Sequence, residues 1–576
     1  MLSPLLLPLF LVPAWPSLEA PTEEISGPQI GPEIVSAFEA GDPWVNALIL
    51  LEAPGLVEGP RLSRPEELAR RAGQIDELQE RFLASLPAGS LELVYRYDYA
   101  PAFCAWIDAR AFDVLRDSDL VAGVGADVAG RSAALLSTSV DYVGAPAVHS
   151  AGTTGAGCTI AVLDSGIDTN HADLSDDIAA GAWTFLQQSS GVSGPGAEDD
   201  TGHGTHVSGV ITSSGSVSSV GVAPDAEILP VKVLNSSGTG FVGDWSAGVD
   251  YVISVKDDYA DLCAINMSLE TFDTYGGCPC NGSSIPAQIM HIELQTAKDC
   301  GITSFAASGN DGECFRMSYP GCDSATIAVG ASYEGNHSSA SAFGCSNNPA
   351  SGDKLACWSN QNPCIKLAAP GYRITSSWFS GGTSTRSGTS FATPHCTGGA
   401  ALLRQADSSL TPDMIEGLLF GTGVPTTRDC GQTESRRVDL ARAVQGTASA
   451  SSTVRLGTPP NPDVLRTGAT GGPILGTTWD PFIDHSSFVP NSVLDYLVIA
   501  FQDTNFSLPA GNGTLLVLPL GGQTTAIASV GTNFQVAVPN DFGLSGAFAF
   551  AQAAAFPSGP SSFVLTNALD LVVGYQ

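Results

Sequence analysis

Positive charge is scarce in this chain. Its 576 residues hold 24 Lys+Arg against 58 Asp+Glu, a formal net charge of −34, and only five of the cations are lysine. So acidic a protein presents no basic surface of the kind that holds nucleic acid or an anionic bilayer. Long apolar runs are missing too: beyond the first twenty residues none is long enough to cross a bilayer as a helix. Cysteine stops at Cys430 and lysine at Lys366, so residues 451–576 contain neither. Apolar residues are not scarce. At 43% they allow several folded units and at least one large core.

The opening stretch MLSPLLLPLFLVPAWPSLEA reads as a secretory signal peptide over residues 1–20, although its only positive charge near the start is the α-amino group. Export agrees with the thirteen cysteines, because disulfides persist outside the cytosol. Twelve of them lie between Cys158 and Cys430, while Cys104 stands alone. Removing the N-terminal region would therefore leave an even number, as suits disulfides, whose connectivity the sequence leaves open. Cys278-Pro-Cys280 has the look of a metal pair, but no second pair at zinc-ligand spacing follows, and disulfides are the better reading.

Four regions follow from the hydrophobic pattern. After the signal come a strand at 45–51, an amphipathic helix from Pro65 to Leu86, and strands around 91–97 and 103–107. A short helix at 111–117 and a strand at 121–124 complete a β-α-β-β-α-β, ferredoxin-like α+β order for residues 21–131. Residues 132–450 carry short continuous apolar runs such as Cys158-Thr-Ile-Ala-Val-Leu163, Ile228–Val233, Cys263–Met267 and Ile302–Ala306, separated by helical segments. Runs of that kind suit strands buried on both faces of a parallel sheet, so the class here is α/β. Residues 451–576 have Pro/Gly-rich turns between short strands, which predicts a small all-β sandwich.

Three short motifs stand out in the α/β region. Asp164-Ser-Gly-Ile-Asp168 follows the run 158–163, and open α/β sheets build their sites at the carboxyl ends of strands. Asp200-Thr-Gly-His-Gly-Thr-His-Val207 puts His203 between two glycines, which lets the backbone bring an imidazole close to a partner. Ser387-Gly-Thr-Ser-Phe-Ala-Thr-Pro-His-Cys396 sets Ser390 at the start of a helix. There it is either a plain helix N-cap or a nucleophile. A serine hydroxyl needs a base to take its proton and a carboxylate to hold that base, and all three types occur here in the order Asp, His, Ser.

These motifs resemble the catalytic motifs of the subtilisin and proteinase K family, the subtilases. The resemblance runs from about Asp141 to Val444 and includes Gly221-Val-Ala-Pro224, Ala368-Ala-Pro-Gly371 and Val438-Asp-Leu-Ala-Arg-Ala-Val444. It implies a serine endopeptidase acting through an acyl-enzyme, in which Asp164 orients His203, His203 is the base and then the acid, and Ser390 is the nucleophile. The segment Ala306-Ala-Ser-Gly-Asn-Asp311 resembles the family's oxyanion-hole motif, which implies Asn310 and the Ser390 N–H as donors. The same resemblance implies that Ser268, Leu269 and Glu270 pair with substrate, opposite Ala307, Ser308 and Gly309. His206 and His395 fall inside the motifs, and there it favours structural roles.

Two departures bear on this reading. Where the family has glycine stands Glu270, whose carboxylate either favours a basic side chain in a nearby subsite or faces solvent. The chemistry needs no cofactor, and the resemblance implies a structural calcium ion with Asp173 as ligand. Yet the loop Ser213–Ser219 offers only weakly coordinating hydroxyls, and Tyr333 stands where proteinase-K-like members place an aspartate.

The whole is expected to be a secreted, extracellular protease acting on proteins or peptides. Residues 21–131 would serve as a propeptide, folding helper and transient inhibitor, removed near Ala126–Ser137. The rival expectation is a surface-attachment or carbohydrate-binding protein, with residues 451–576 meeting cell surface or polysaccharide and the protease serving only maturation.

Overall fold

Ile160 and Val162 face one apolar cluster, while Ala161 and Leu163 face another. That division is what the continuous run 158–163 demands: its strand, Thr159–Asp164, is buried at every position because helices cover both faces of the sheet. The computed structural model describes residues 28–573, apart from 57–58, 132–138, 431–434 and several short stretches between 448 and 562. The expected signal segment and half of the expected cleavage segment, residues 132–137, lie outside the described residues.

The central sheet has ten strands. From one edge to the other they are Val424–Pro425, Arg436–Arg437, Ile365–Pro370, Thr326–Ser332, Thr303–Ala307, Leu262–Met267, Thr159–Asp164, Glu227–Lys232, Trp183–Leu186 and Val192–Pro195. All neighbours are parallel except the outermost pair at each edge, so the α/β expectation holds for this region. The chain leaves Thr159–Asp164 toward Glu227–Lys232 on one side and returns to Leu262–Met267 on the other. The carboxyl end of Thr159–Asp164 is therefore a topological switch point, where a crevice opens between the connecting loops. Helices His203–Thr212 and Thr389–Ala406 lie against the first cluster, with Val207, Ile211 and Phe391 in it. Helices Val242–Ser254 and Ile285–Asp299 lie against the second, with Val249 and Leu294.

Before this region comes a five-stranded sheet, in spatial order Gln29–Ile30, Val121–Gly125, Val45–Leu51, Ala102–Ile107 and Leu91–Arg96. Helices Pro65–Leu83 and Ala109–Arg116 cover one face through Phe82, Phe112 and Leu115. The other face sets Leu48, Leu50 and Ala102 against Ala247, Ile285 and Ile289 of the two helices on the second side of the central sheet. After the α/β region, residues 451–455, 564–572, 548–556, 494–500 and 523–528 form an antiparallel sheet in that order, over a core with Trp479, Leu497 and Phe534. Among the described residues no helix is long and apolar enough to cross a membrane.

Five disulfides pair Cys158–Cys263, Cys278–Cys364, Cys280–Cys322, Cys314–Cys430 and Cys345–Cys357. Cys278 and Cys280 thus hold no metal. Cys300 and Cys396 are free thiols, as is Cys104, so the even number from Cys158 onward is not fully paired. Cys396 is fully buried within its helix, where no other sulfur reaches it.

Candidate active site

The end of strand Thr159–Asp164 meets the start of helix His203–Thr212 at very short range. A Cβ on Gly204 would stand 2.1 Å from the Gly166 carbonyl oxygen, so only glycine permits this approach. The approach sets His203 Nδ1 2.7 Å from Asp164 Oδ1, with the carboxylate fully buried. Asp164 Oδ1 also accepts the Ser165 N–H at 2.7 Å. A carboxylate so held fixes the imidazole with its proton on Nδ1 and leaves Nε2 free to take one. His203 Nε2 has no hydrogen-bond partner among the described residues.

Ser390 lies in the first turn of helix Thr389–Ala406, but Gly388 occupies the N-cap position, and the capping reading of Ser390 does not hold. Its hydroxyl donates to the Ser268 carbonyl at 3.0 Å, and the Ser268 hydroxyl donates back to the Ser390 carbonyl at 2.6 Å. No hydrogen bond joins Ser390 to His203. The following residue, Phe391, lays its ring 5.2 Å from the His203 ring and 4.5 Å from that of His206.

Asn310 is oriented by the same helix start: its Oδ1 accepts from the Thr389 N–H at 2.9 Å and the Thr389 hydroxyl at 3.2 Å. With the oxygen so engaged, Nδ2 is turned the other way, where it lies 3.4 Å from Glu270 Oε1. Glu270 Oε2 accepts the Asn310 N–H at 2.9 Å. In the full-length chain, with strand Ala129–Arg131 beside it, Glu270 does not face solvent: it is 2% exposed. Ser268 and Leu269 are fully buried beside it, and Ala307 and Ser308 line the facing segment. Gly309, at φ +102°, leaves the space that a side chain would fill: a Cβ there would lie 2.9 Å from Glu270 Oε2.

A short strand from the N-terminal region enters this crevice. Residues Ala129–Arg131 pair antiparallel with Thr239–Phe241 on one side and with Glu270–Thr271 on the other, making a three-stranded sheet.

Two other histidines in the motifs are structural. His206 Nε2 meets the Ile374 carbonyl at 3.1 Å, and burial followed by the nearness of His203 pushes its pKa down to about 3. His395 bridges the Phe391 carbonyl and the Ser139 hydroxyl, and burial takes it down to about 4. Both stay neutral at ordinary pH.

The residues around Asp173 do not fit a calcium ion. Its carboxylate oxygens accept the N–H groups of Val217 and Ser218 at 2.7 and 2.8 Å and the hydroxyls of Ser218 and Ser377 at 2.8 and 2.9 Å. A cation needs oxygen lone pairs aimed at it, whereas here donor hydrogens converge on the carboxylate and take its place. Among the described residues no group of three His, Cys, Asp or Glu could hold a metal ion.

Sequence reading missed Asp199. Its carboxylate accepts the Ser165 hydroxyl at 2.8 Å, the Gly202 N–H at 2.9 Å, the Thr205 N–H at 2.9 Å and the Thr205 hydroxyl at 2.6 Å. It ties the Asp164 loop to the His203 helix. The signal was a buried acid at the start of the run Asp199-Asp-Thr-Gly-His203, four residues before the histidine.

The model of the subtilase family matches residues 155–446. An alkaline protease of Alkalihalobacillus alcalophilus is 31% identical over 58% of this chain and 76% of its own length. Subtilisin E of Bacillus subtilis is 31% identical over 57% of this chain and 76% of its own. The minor extracellular protease Epr of Bacillus subtilis is 34% identical over 45% of this chain and 34% of its own.

Proposed function

The chain belongs to the subtilase family and is a serine protease, and from that premise we propose that it is a secreted endopeptidase, matured by loss of its N-terminal region, in which Asp164, His203 and Ser390 perform the chemistry. One observation carries the assignment of roles: the buried 2.7 Å contact of Asp164 with His203 Nδ1, at a strand end that the Ser390 helix also reaches.

In this reading the Ser390 hydroxyl leaves the Ser268 carbonyl and attacks the scissile carbonyl carbon while His203 Nε2 takes its proton. Asp164 stabilises the imidazolium that forms. The carbonyl oxygen gains negative charge, and the Asn310 Nδ2 and the Ser390 N–H meet it. His203 then gives the proton to the departing amine, leaving an acyl group on Ser390. A water, deprotonated by the same Nε2, releases it. Subtilases need no cofactor for these steps.

Residues 21–131 act here as propeptide. The support is their packing on the two helices beside the crevice, and the strand Ala129–Arg131 lodged between two strands of the α/β region. Secretion is supported by the opening apolar stretch, by the five disulfides and by an extracellular protease among the relatives. Residues 451–576 form an accessory β module in this reading, and no observation in the site or among the relatives favours attachment as the main activity.

The test is the intact mass of secreted wild type beside Ser390→Ala. Wild type trimmed near Ala126–Ser137 beside a full-length variant is expected; identical trimming of both would take self-processing away from Ser390.

A further inference from the structure

On the protease reading above, on which this inference rests, a segment threaded between strands Thr239–Phe241 and Glu270–Thr271 lies as a substrate would. In an antiparallel pair the residue directly opposite Glu270 has its Cβ roughly 5 Å from that of Glu270. The residue two further along presents the same face. Any substrate side chain at those two positions therefore meets the surroundings of one buried carboxylate.

That carboxylate is held in place. The Asn310 N–H reaches Oε2 at 2.9 Å and the Asn310 Nδ2 lies 3.4 Å from Oε1. These two donors are neutral, so they orient the group without bringing a counter-charge of their own. A fixed charge in a cleft shielded from water attracts the opposite sign and rejects its own far more strongly than one in solvent. The chain's own residue at the register of Glu270 is Arg131. Only one residue in 24 of this sequence is a cation, so its position here stands out.

We propose that Glu270 makes the cleft selective for arginine or lysine on the acyl side of the scissile bond, at the residue opposite Glu270 or at the one two further toward the bond.

Two measurements decide it. The first is kcat/KM of processed wild type and of Glu270→Gln for peptides carrying Arg, Lys, Gln or Glu at those two positions. Wild type is expected to favour Arg over Gln by about tenfold or more at one of them, with Glu poorer still, and Glu270→Gln to lose most of that ratio. The second needs no catalysis. In the full-length Ser390→Ala chain, Arg131→Glu should lower the thermal midpoint, and adding Glu270→Arg should recover it.

Equal preferences in the two enzymes, or midpoint changes that simply add, would overturn the proposal while leaving the protease reading intact. A wild type that cleaves no peptide would instead sink the protease reading, and the thermal cycle would still decide whether charges at 131 and 270 pair.

Discussion

Asn310 gives both lone pairs of its side-chain oxygen to Thr389, accepting from the N–H at 2.9 Å and from the hydroxyl at 3.2 Å. The amide nitrogen is thereby aimed before substrate arrives, which is the condition for stabilising an oxyanion without reorganisation. Asn310→Ala should lower kcat by about 10²–10³ with the fold unchanged, a size carried over from subtilisin itself and not computed from this chain. Thr389→Val removes only the weaker of the two tethers and should cost about tenfold or less. Steady-state kinetics with circular dichroism checks both, and an unchanged kcat in a folded Asn310→Ala protein would remove Asn310 from the mechanism.

The contact between the N-terminal unit and the α/β region is lined with acids. Asp250 Oδ1 accepts the N–H groups of Asp98 and Tyr99, each at 3.0 Å, Asp244 Oδ1 accepts the Tyr95 hydroxyl at 2.8 Å, and Asp127 Oδ1 accepts the Gly243 N–H at 2.9 Å. Burial pushes Asp244 up to about 6 and, with the charge of Asp244 adding, Asp127 up to about 7. Asp250 is raised by burial and then by the charge of Asp98, and the buried Glu293 by burial and then by the charges of Asp250 and Asp98. The assembled form therefore binds protons that the separated parts release. Its stabilisation is full below about 4, the free carboxyl range, and is lost as pH rises through 6 and 7. After processing, the affinity of the severed unit should fall at least about tenfold between pH 5 and pH 8, measured by its inhibition of the protease. Asp244→Asn with Asp250→Asn should weaken that dependence, leaving the share of Asp127 and Glu293, and a flat wild-type profile would refute it.

Much of the candidate site was legible because its residues sit in contiguous motifs. The run Cys158–Leu163 read as a doubly buried strand and is one, and DSGID, GHGTHV and SGTSFATPH lie where three loops meet. What was not legible depends on distant partners. The family resemblance implies Asp173 as a ligand, whereas its partners here include two backbone N–H groups, which residue types do not reveal. Glu270 looked as though it could face solvent until the turn at Gly309 supplied a pocket for it. Cysteine parity gave an even number from Cys158 onward, but parity does not say which sulfurs meet, and Cys300 and Cys396 are free thiols.

The donors around Asp173 make a prediction about chelators. Burial alone would raise this carboxyl, yet the hydrogen bonds from Val217, Ser218 and Ser377 outweigh it and hold the pKa below the usual range. Its stabilisation is therefore present above about pH 4 and is lost as pH falls below that. Asp173→Asn should destabilise by roughly 2–3 kcal/mol, because an amide turns a donor toward donors. EDTA should leave the wild-type thermal midpoint unchanged at this site. A drop in EDTA that Asp173→Asn abolishes would restore the residue as a calcium ligand.

Free thiols report the same assembly from another direction. Cys300 donates its S–H to the Leu62 carbonyl of the N-terminal unit at 3.3 Å, and burial pushes its pKa up to about 12, so little thiolate exists at neutral pH. Cys396 is fully buried, and burial raises its pKa further still. Under native conditions the full-length Ser390→Ala chain should thus resist iodoacetamide. Loss of residues 21–131 would uncover Cys300 and lower its pKa, so the processed protein should take up one label quickly and keep Cys396 unlabelled. Denatured without reduction, the processed protein should accept two labels and the full-length variant three, the third on Cys104. Mass spectrometry after labelling reads all four numbers. A processed protein with no reactive thiol would mean that Cys300 and Cys396 have found a partner, and the five-disulfide pairing would have to be redrawn.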